Sequence, residues 1–248
     1  MVEKRGKINL KEEFLLWKKP KNVKIIEGFP GLGLVATIAT GYLIEHLNCE
    51  QIGSFYFEEA TPTLAIHKNN MVDPIGVFYN KEKNLVIIHA ITSANGIEWK
   101  AANMVMKIAE QLNAKEIISI EGVGGVNQES SRGFHYAKND LVSKKLKKIG
   151  IDELGEGIIV GVTSALMLKL KSKNIPITCL FTEAKTNLPD SRAAAKIIEM
   201  LDQYLGLKVD YKPLLEEAKN FEQKLKGVMQ NAQKVEQVKE NQQVGYIR

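Results

Sequence analysis

The stretch NVKIIEGFPGLGLVATIATGYLIEHLNC, residues Asn22–Cys49, decides the fold of this chain. A β-branched run at its start ends in a glycine- and proline-rich turn, which opens directly into an apolar segment with helical spacing. This order predicts a strand, a tight turn and a helix. Within the turn, Gly31, Gly33 and Ala36 have the spacing GxGxxA, which formally matches the fingerprint of a dinucleotide-binding site.

A dinucleotide site also needs an acidic residue near the end of the next strand, where it holds the ribose. That strand is predicted at residues 52–57, and the acids that follow it are Glu58 and Glu59. They come 25 or more residues after Gly33, later than the usual spacing of about 20. We therefore favour a structural turn with close helix–sheet packing, and we expect no cofactor.

Composition places the chain among ordinary globular proteins. Of its 248 residues, 44% are hydrophobic and 25% are charged, which suits one α/β domain with an appendage. The sequence contains no apolar run of about 18 residues without charges, so we expect no membrane span, and its first residues lack the apolar core of a signal peptide. Cys49 and Cys179 lie far apart in the sequence and are interpreted as buried free thiols of a cytoplasmic protein.

Charge and histidine spacing argue against nucleic-acid, metal and catalytic sites. The net charge is +5, but the densest basic run, KKLKK at residues 144–148, has no interleaved aromatics and is interpreted as a solvated helix face. No two of the four histidines have metal-ligand spacing, and none has a nucleophile beside it in the sequence. Residues 130–133 (SSRG) have the groups to bind an anion, although a surface loop is the simpler interpretation.

The rest of the body alternates strand and helix patterns. Strands are predicted at 52–57, 64–67, 75–79, 84–90, 116–120, 157–161 and 176–181, and helices at 34–47, 96–112, 139–150, 163–170 and 189–205. Such repetition predicts a three-layer α/β fold in which a mostly parallel sheet is covered by helices on both faces. Glycine turns at 28–33 and 122–125 are predicted at the carboxyl edge of the sheet, where such folds bind ligands.

A heptad pattern begins at Tyr211. Apolar residues recur at alternating intervals of three and four: Tyr211, Leu214, Ala218, Phe221, Leu225, Val228, Ala232 and Val235. The pattern predicts a long helix, about 40 Å from residue 214 to 239. So narrow an apolar stripe must pack on something, and we favour self-association or a projecting arm over a helix that lies back on the domain. We therefore divide the chain into an α/β domain (1–210), a heptad helix (211–240) and a tail (241–248).

The sequence resembles a known family at several blocks in order. The block EGFPGLGLVA at residues 27–36, followed by Tyr42-Leu43-Ile44, resembles the opening signature of the PAC2 family, which comprises the proteasome assembly chaperones and their archaeal homologues. The resemblance continues through SRG (131–133), GIIVG (157–161), LFTE (180–183) and LPD (188–190), and spans about residues 20–220. It implies a nucleoside-phosphorylase-like or Rossmann-like α/β fold without an established catalytic role.

The resemblance also implies partners. It implies a chaperone that contacts the α subunits of the 20S proteasome and, in archaeal homologues, a homo-oligomer whose C-terminal tails engage the α-ring. The predicted family-motif residues are Gly28, Phe29, Pro30, Gly31 and Gly33; the predicted oligomerisation residues are Leu214, Phe221, Leu225, Val228 and Val235; and the predicted partner-binding residues are Val244, Tyr246, Ile247 and Arg248.

The tail departs from the pattern that proteasome-docking tails commonly follow, in which tyrosine is second from the end. Here Tyr246 is third from the end, which displaces the terminal carboxylate by up to ~3.5 Å relative to the ring. If the ring stays fixed, this displacement is enough to break a salt bridge to a pocket lysine; the alternative is that the tail uses Ile247 in place of the tyrosine.

Two other functions stay open. The first is a nucleotide- or nucleoside-binding enzyme that uses the glycine turns at 31–33 and 122–125, with Arg132 as an anion contact. The second is a coiled-coil scaffold without any link to the proteasome.

Overall fold

A mixed sheet lies at the centre of the computed structural model, which describes residues 14–60, 62–67, 69–124, 131–184 and 188–216. The strands are β1 Phe14–Leu16, β2 Lys24–Gly28, β3 Glu50–Phe55, β4 Ala65–His67, β5 Asn70–Val72, β6 Ile75–Asn80, β7 Leu85–Ala90, β8 Glu116–Gly124, β9 Gly133–Ala137, β10 Asp152–Glu153 and β11 Ile177–Ala184. The helices are α1 Val35–His46, α2 Glu98–Gln111, α3 Asp140–Lys148, α4 Gly161–Leu170 and α5 Ser191–Leu205, and a turn of 3₁₀ helix at Leu32–Leu34 precedes α1.

Nine of these strands form one sheet in the order β1-β3-β6-β7-β2-β8-β11-β9-β10, while β4 and β5 form a separate hairpin. The four central strands, β7, β2, β8 and β11, run parallel to one another. The chain leaves β2 towards β7 on one side and later returns to β8 on the other. The carboxyl ends of β2 and β8 are therefore the point at which the strand order reverses, where open α/β sheets leave a crevice.

Helices cover both faces of the sheet, as the sequence predicts. On one face, Ile25, Ile117 and Cys179 belong to a core with α2 and α4. On the other face, Ile26 and Leu180 belong to a core with α1 and α5. Adjacent residues of the central strands are thus buried on opposite faces, which explains why these strands are continuously apolar. The α/β prediction is confirmed, and all five helices begin and end within two residues of their predicted bounds.

Two local predictions are wrong. Residues 157–160 form no strand; they lead into α4, and Ile158 is 92% exposed because no neighbouring strand pairs with this segment. Gly122 and Gly124 belong to β8 rather than to a turn, because β11 is long enough to pair with them. A β-carbon on Gly122 would lie 2.3 Å from the carbonyl oxygen of Leu32, so glycine is needed there for close packing of the chain.

The strand β9 was not predicted. It pairs antiparallel with β11 and carries the buried His135.

The described chain ends at the start of the heptad pattern. Helix α5 ends at Leu205 with Gly206 as its C-cap, and residues 212–216 are again helical. Leu214 is 3% exposed and packs in the core beside α1 and α5, with Tyr211 and Leu215 partly buried around it. The heptad positions after Leu214 and the tail residues lie outside the described residues. No helix of the described part is long and apolar enough to cross a bilayer.

Candidate functional site

The turn after β2 is stabilised by a hydrogen bond within it and by another from the start of α5. Gly33 and Leu34 both have positive φ, 64° and 49°, and the Leu34 amide donates to the Gly31 carbonyl at 3.0 Å. The amide of Asp190 donates to the Gly33 carbonyl at 2.8 Å. The carboxylate of Asp190 also accepts from the Ala193 amide at 3.0 Å and so caps α5. The LPD block therefore joins the start of α5 to the turn by a hydrogen bond.

Another pair of blocks meets at the same edge of the sheet. The amide of Glu183, in β11, donates to the carbonyl of Arg132 at 2.9 Å. The Arg132 guanidinium lies over the Phe134 ring, 5.0 Å from its centroid. Sequence blocks that are far apart along the chain thus converge at the carboxyl edge of β2, β8 and β11.

A buried network of three polar side chains lies beneath this edge, and the carboxyl group of Glu121 lies near it. Glu27 of β2 is 1% exposed and accepts a hydrogen bond from Ser119, which lies opposite it on β8. The Ser119 hydroxyl lies 2.9 Å from the hydroxyl of Thr163, in the first turn of α4. Glu121 lies two residues further along β8, close enough for its charge to act on Glu27. Oε2 of Glu121 is buried and has no hydrogen-bond partner among the described residues.

Burial governs the electrostatics of this network. Burial and, to a smaller extent, the charge of Glu121 raise the pKa of Glu27 to about 8 against the opposing hydrogen bond from Ser119. Burial raises the pKa of Glu121 to about 7, with Thr163 opposing it. The thiol of Cys179 has a pKa well above its usual value, because it is buried and both carboxyls lie near it. At neutral pH the site can therefore retain a proton on a carboxyl group.

The same geometry bears on the dinucleotide fingerprint. A β-carbon built on Gly31 lies 3.7 Å from Oε1 of Glu121, so a carboxyl group borders the turn over which a pyrophosphate would lie. The acid expected to hold the ribose, Glu59, is exposed and pairs with Lys100. A carboxyl group in this place supplies no positive charge to an anionic ligand and repels it once ionised, which favours the structural interpretation of Gly28–Gly33.

Comparison with known proteins gives the family. The model of the PAC2 family matches residues 25–229 of this chain. The chain belongs to the PAC2 family. The resemblance deduced from the sequence blocks is thereby confirmed.

Relatives of this PAC2 protein include solved structures. The Pyrococcus furiosus protein PbaA, described as an archaeal homolog of proteasome-assembly chaperone, is 26% identical, with a TM-score of 0.80 over 95% of this chain and 100% of that chain. PbaB of the same organism, described as an archaeal proteasome activator, shares the fold, with 22% identity and a TM-score of 0.76 over 87% of this chain and 98% of that chain. The protein MJ0106 of Methanocaldococcus jannaschii is 28% identical over 83% of this chain and 85% of its own length.

The predicted motif residues of the PAC2 signature lie together in the turn after β2. Phe29 is buried in the core on the α2 and α4 side, whereas Pro30 is partly buried. Gly28, Gly31 and Gly33 lie beside α1, Glu121 and Asp190, respectively. The residues predicted to bind partners, Val244, Tyr246, Ile247 and Arg248, lie outside the described residues, as do Phe221, Leu225, Val228 and Val235.

His89 and His135 form hydrogen bonds inside this PAC2 domain, which favours a structural role for both. His89 bonds the Thr40 hydroxyl at 2.8 Å, on the sheet face opposite Glu27, and burial lowers its pKa to about 4. His135 bonds the carbonyl of Ile151 and the hydroxyl of Ser143, each at 3.0 Å. Among the described residues, no three metal-ligating side chains come together.

Sequence reasoning missed the network of Glu27, Ser119 and Thr163 and the carboxyl group of Glu121 near it. A usable signal was present, because Glu27 and Glu121 each directly follow a run of β-branched residues that predicts a buried parallel strand. A carboxyl group at the end of such a strand needs a partner, and the sequence did not show which residue supplies it.

Proposed function

We propose that this PAC2 protein is a non-enzymatic proteasome assembly chaperone or adaptor that associates with itself and binds the 20S proteasome α-ring. The observation that carries the proposal is the match to PbaA over 95% of the chain. Family membership and the fold shared with PbaB support the same general role of assembly chaperone or activator. We further propose that the protein acts in the cytoplasm.

The surroundings of the turn after β2 favour a role without catalysis. A carboxyl group borders Gly31, and Glu27 accepts its hydrogen bond from Ser119, inside the protein. A site for phosphate or dinucleotide needs amide donors and positive charge facing an open turn. The acidic surroundings of this turn oppose that chemistry.

Binding is therefore assigned to the C-terminal region. Because Leu214 packs in the core of its own domain, we propose that self-association uses the later heptad positions Phe221, Leu225, Val228 and Val235. We propose that the tail binds the α-ring through Val244, Tyr246, Ile247 and Arg248. A docking peptide of this kind uses its side chains together with its terminal carboxylate.

Binding of the purified chain to 20S α-rings tests the tail. The full chain is compared with a chain that ends at Gln243, and Gln243→Ala in the full chain serves as the matched control. We expect truncation to abolish binding and the control to retain it. Binding retained after truncation would move recognition to the helix or the body, and no binding by the full chain would overturn the proposal.

Self-association is tested separately, by measuring the molar mass of the full chain in solution. The double substitution Phe221→Glu and Leu225→Glu places charges on the heptad stripe, whereas Gln223→Glu places one between stripe positions. We expect the double variant to dissociate and the control to keep the wild-type mass. A wild-type mass for the double variant would exclude the heptad stripe as the interface, and an oligomer that binds no α-ring would favour a scaffold.

A further inference from the structure

The hairpin of β4 and β5 has an exposed apolar face. Its strands have three residues each and, among the described residues, pair only with each other. Ile66 lies directly opposite Met71, so the two side chains share one face of the hairpin. They are 73% and 76% exposed. Leu64, also exposed, precedes Ile66 by two residues, which is the spacing of the same face.

The opposite face of the hairpin has smaller side chains. Ala65 pairs with Val72, and both are partly buried. The hairpin therefore directs its larger apolar side chains outward, which is the reverse of what the burial of apolar surface favours. A two-stranded hairpin is also marginally stable in water unless another strand or element packs on it. Both observations indicate that something covers the outward face, the face of Leu64, Ile66 and Met71.

The chain enters the sheet at the corner where this hairpin leaves it. β1 pairs antiparallel with β3, and Phe14 lies opposite Phe55, the last residue of that strand. On the other side of Phe55 lies Ile75, which begins β6 three residues after the hairpin ends at Val72. The chain before Phe14 therefore arrives from the same edge of the sheet. With about 4.8 Å between neighbouring strands and up to about 3.6 Å per residue, Val72 lies within about 20 Å of Phe14.

The residues that precede β1 have a pattern that suits this face. In the stretch KINLKEE, residues 7–13, the apolar Ile8 and Leu10 alternate with polar residues, which is the spacing of one face of a strand. The six residues from Ile8 to Glu13 can span about 20 Å, so they can reach the hairpin. A short tether also gives such a segment an effective concentration of about a millimolar, so weak contacts are enough to hold it.

We propose that residues 8–13 of this chain cover the outward face of the β4–β5 hairpin, with Ile8 and Leu10 packed on Ile66 and Met71. The segment supplies the apolar cover that the hairpin lacks within the described residues. A partner that binds the same face must first displace the segment. The proposal concerns the free chain and does not depend on the proposed proteasome role.

Oxidation of Met71 by hydrogen peroxide measures the exposure of this face in the full chain, since a covered thioether reacts slowly. The double substitution Ile8→Ser and Leu10→Ser removes the apolar side chains of the segment. The matched control, Asn9→Ser with Lys11→Ser, changes the alternate positions. We expect Met71 to oxidise several-fold faster in the double variant than in the wild type, and at the wild-type rate in the control, as followed by peptide mass spectrometry.

The reciprocal experiment follows the segment. Trypsin cuts after Lys11, and a segment held on the hairpin is cut slowly. Ile66→Ser with Met71→Ser removes the proposed docking face, whereas Leu168→Ser removes an exposed apolar side chain of α4 and serves as the control. All three side chains are exposed, so the core stays intact. We expect several-fold faster cleavage after Lys11 in the hairpin variant and the wild-type rate in the control.

Three results would overturn the proposal. The first is an equal rate of Met71 oxidation in the wild type, the segment variant and its control. The second is cleavage after Lys11 at the wild-type rate in the hairpin variant. The third is protection of Met71 that rises with protein concentration and persists in the segment variant, which would assign the face to a second copy of the chain.

Discussion

Carboxyl groups are buried at both ends of the strand pair β2 and β8, but their hydrogen-bond and ion-pair partners differ between the two ends. At the amino end, Glu116 accepts from Lys24 at 2.6 Å, from Thr178 at 2.7 Å and from Tyr204 at 2.8 Å. At the carboxyl end, Glu27 accepts from the Ser119 hydroxyl, and the carboxyl group of Glu121 lies near it. The amino end holds an ion pair with further hydrogen bonds, whereas burial raises the pKa values of both acids at the carboxyl end.

The comparison teaches where this fold tolerates electrostatic strain. A carboxylate can be buried when a cation and hydrogen bonds compensate its desolvation cost, whereas a buried carboxyl group without a cation stays neutral. The uncompensated pair lies at the crevice of the α/β sheet, beside the sequence blocks that carry the family signature. The PAC2 signature thus surrounds two carboxyl groups whose pKa values are raised by burial.

The largest expected effect is on the pH dependence of stability. A carboxyl whose pKa is raised by folding stabilises the fold fully below its ordinary pKa of 4.5, and this contribution is lost as pH rises through the folded-state value, about 7 for Glu121. Relative to Glu121→Gln, the wild type should lose roughly 3 kcal/mol of unfolding free energy over this window. Urea unfolding at a series of pH values measures the difference, with Glu50→Gln as an exposed control. If the unfolding free energies of the wild type and the Gln variant changed equally with pH, the contrast between the two ends would be contradicted.

The ion pair at the amino end can be broken directly. Lys24→Met leaves Glu116 buried with two neutral donors, which usually destabilises by about 3–5 kcal/mol when the pair is fully buried. Because the Lys24 side chain is 38% exposed, we expect a smaller loss of about 2 kcal/mol in urea unfolding. Lys18→Met, which breaks the exposed pair with Glu50, should lose under about 1 kcal/mol. Equal losses in the two variants would show that the amino-end pair is no stronger than a surface pair.

The sequence predicted the elements that have a local signal and missed those that depend on tertiary contacts. The central strands were predictable because β-branched runs bounded by glycine and proline are a local signal. The strand β9 was missed because its place depends on antiparallel pairing with β11, and the apolar run at 157–160 was mistaken for a strand because hydrophobicity alone does not supply a pairing partner. The hydrogen-bonded site needed two facts of tertiary structure: that Ser119 lies opposite Glu27 and that α4 packs Thr163 onto them.

The turn allows a sharper test of its structural role. A β-carbon on Gly28 would lie 2.8 Å from Cγ2 of Thr40 and 2.9 Å from the carbonyl oxygen of Ala36, so Gly28→Ala forces α1 away from the sheet. We expect it to lower the unfolding free energy by about 1–2 kcal/mol, as overpacking does. Gly31→Ala would make an ordinary contact at 3.7 Å with Glu121 and should change stability by under about 0.5 kcal/mol. A larger loss for Gly31→Ala than for Gly28→Ala would reverse the assignment of which glycine the packing requires.

The smallest expected effect is that of ligands on the whole domain. If the turn is structural, dinucleotides, nucleosides and inorganic phosphate should leave the thermal midpoint of the wild type unchanged. A true ligand at 100 times its Kd would stabilise the domain by about 2.7 kcal/mol, a shift that is easily measured. Glu121→Gln sharpens the screen, because it removes the carboxyl that borders Gly31 while keeping the size of the side chain. Phosphate stabilisation that appears only in the Gln variant would identify this carboxyl as what keeps anions from the turn, and stabilisation of the wild type would restore the nucleotide-binding alternative.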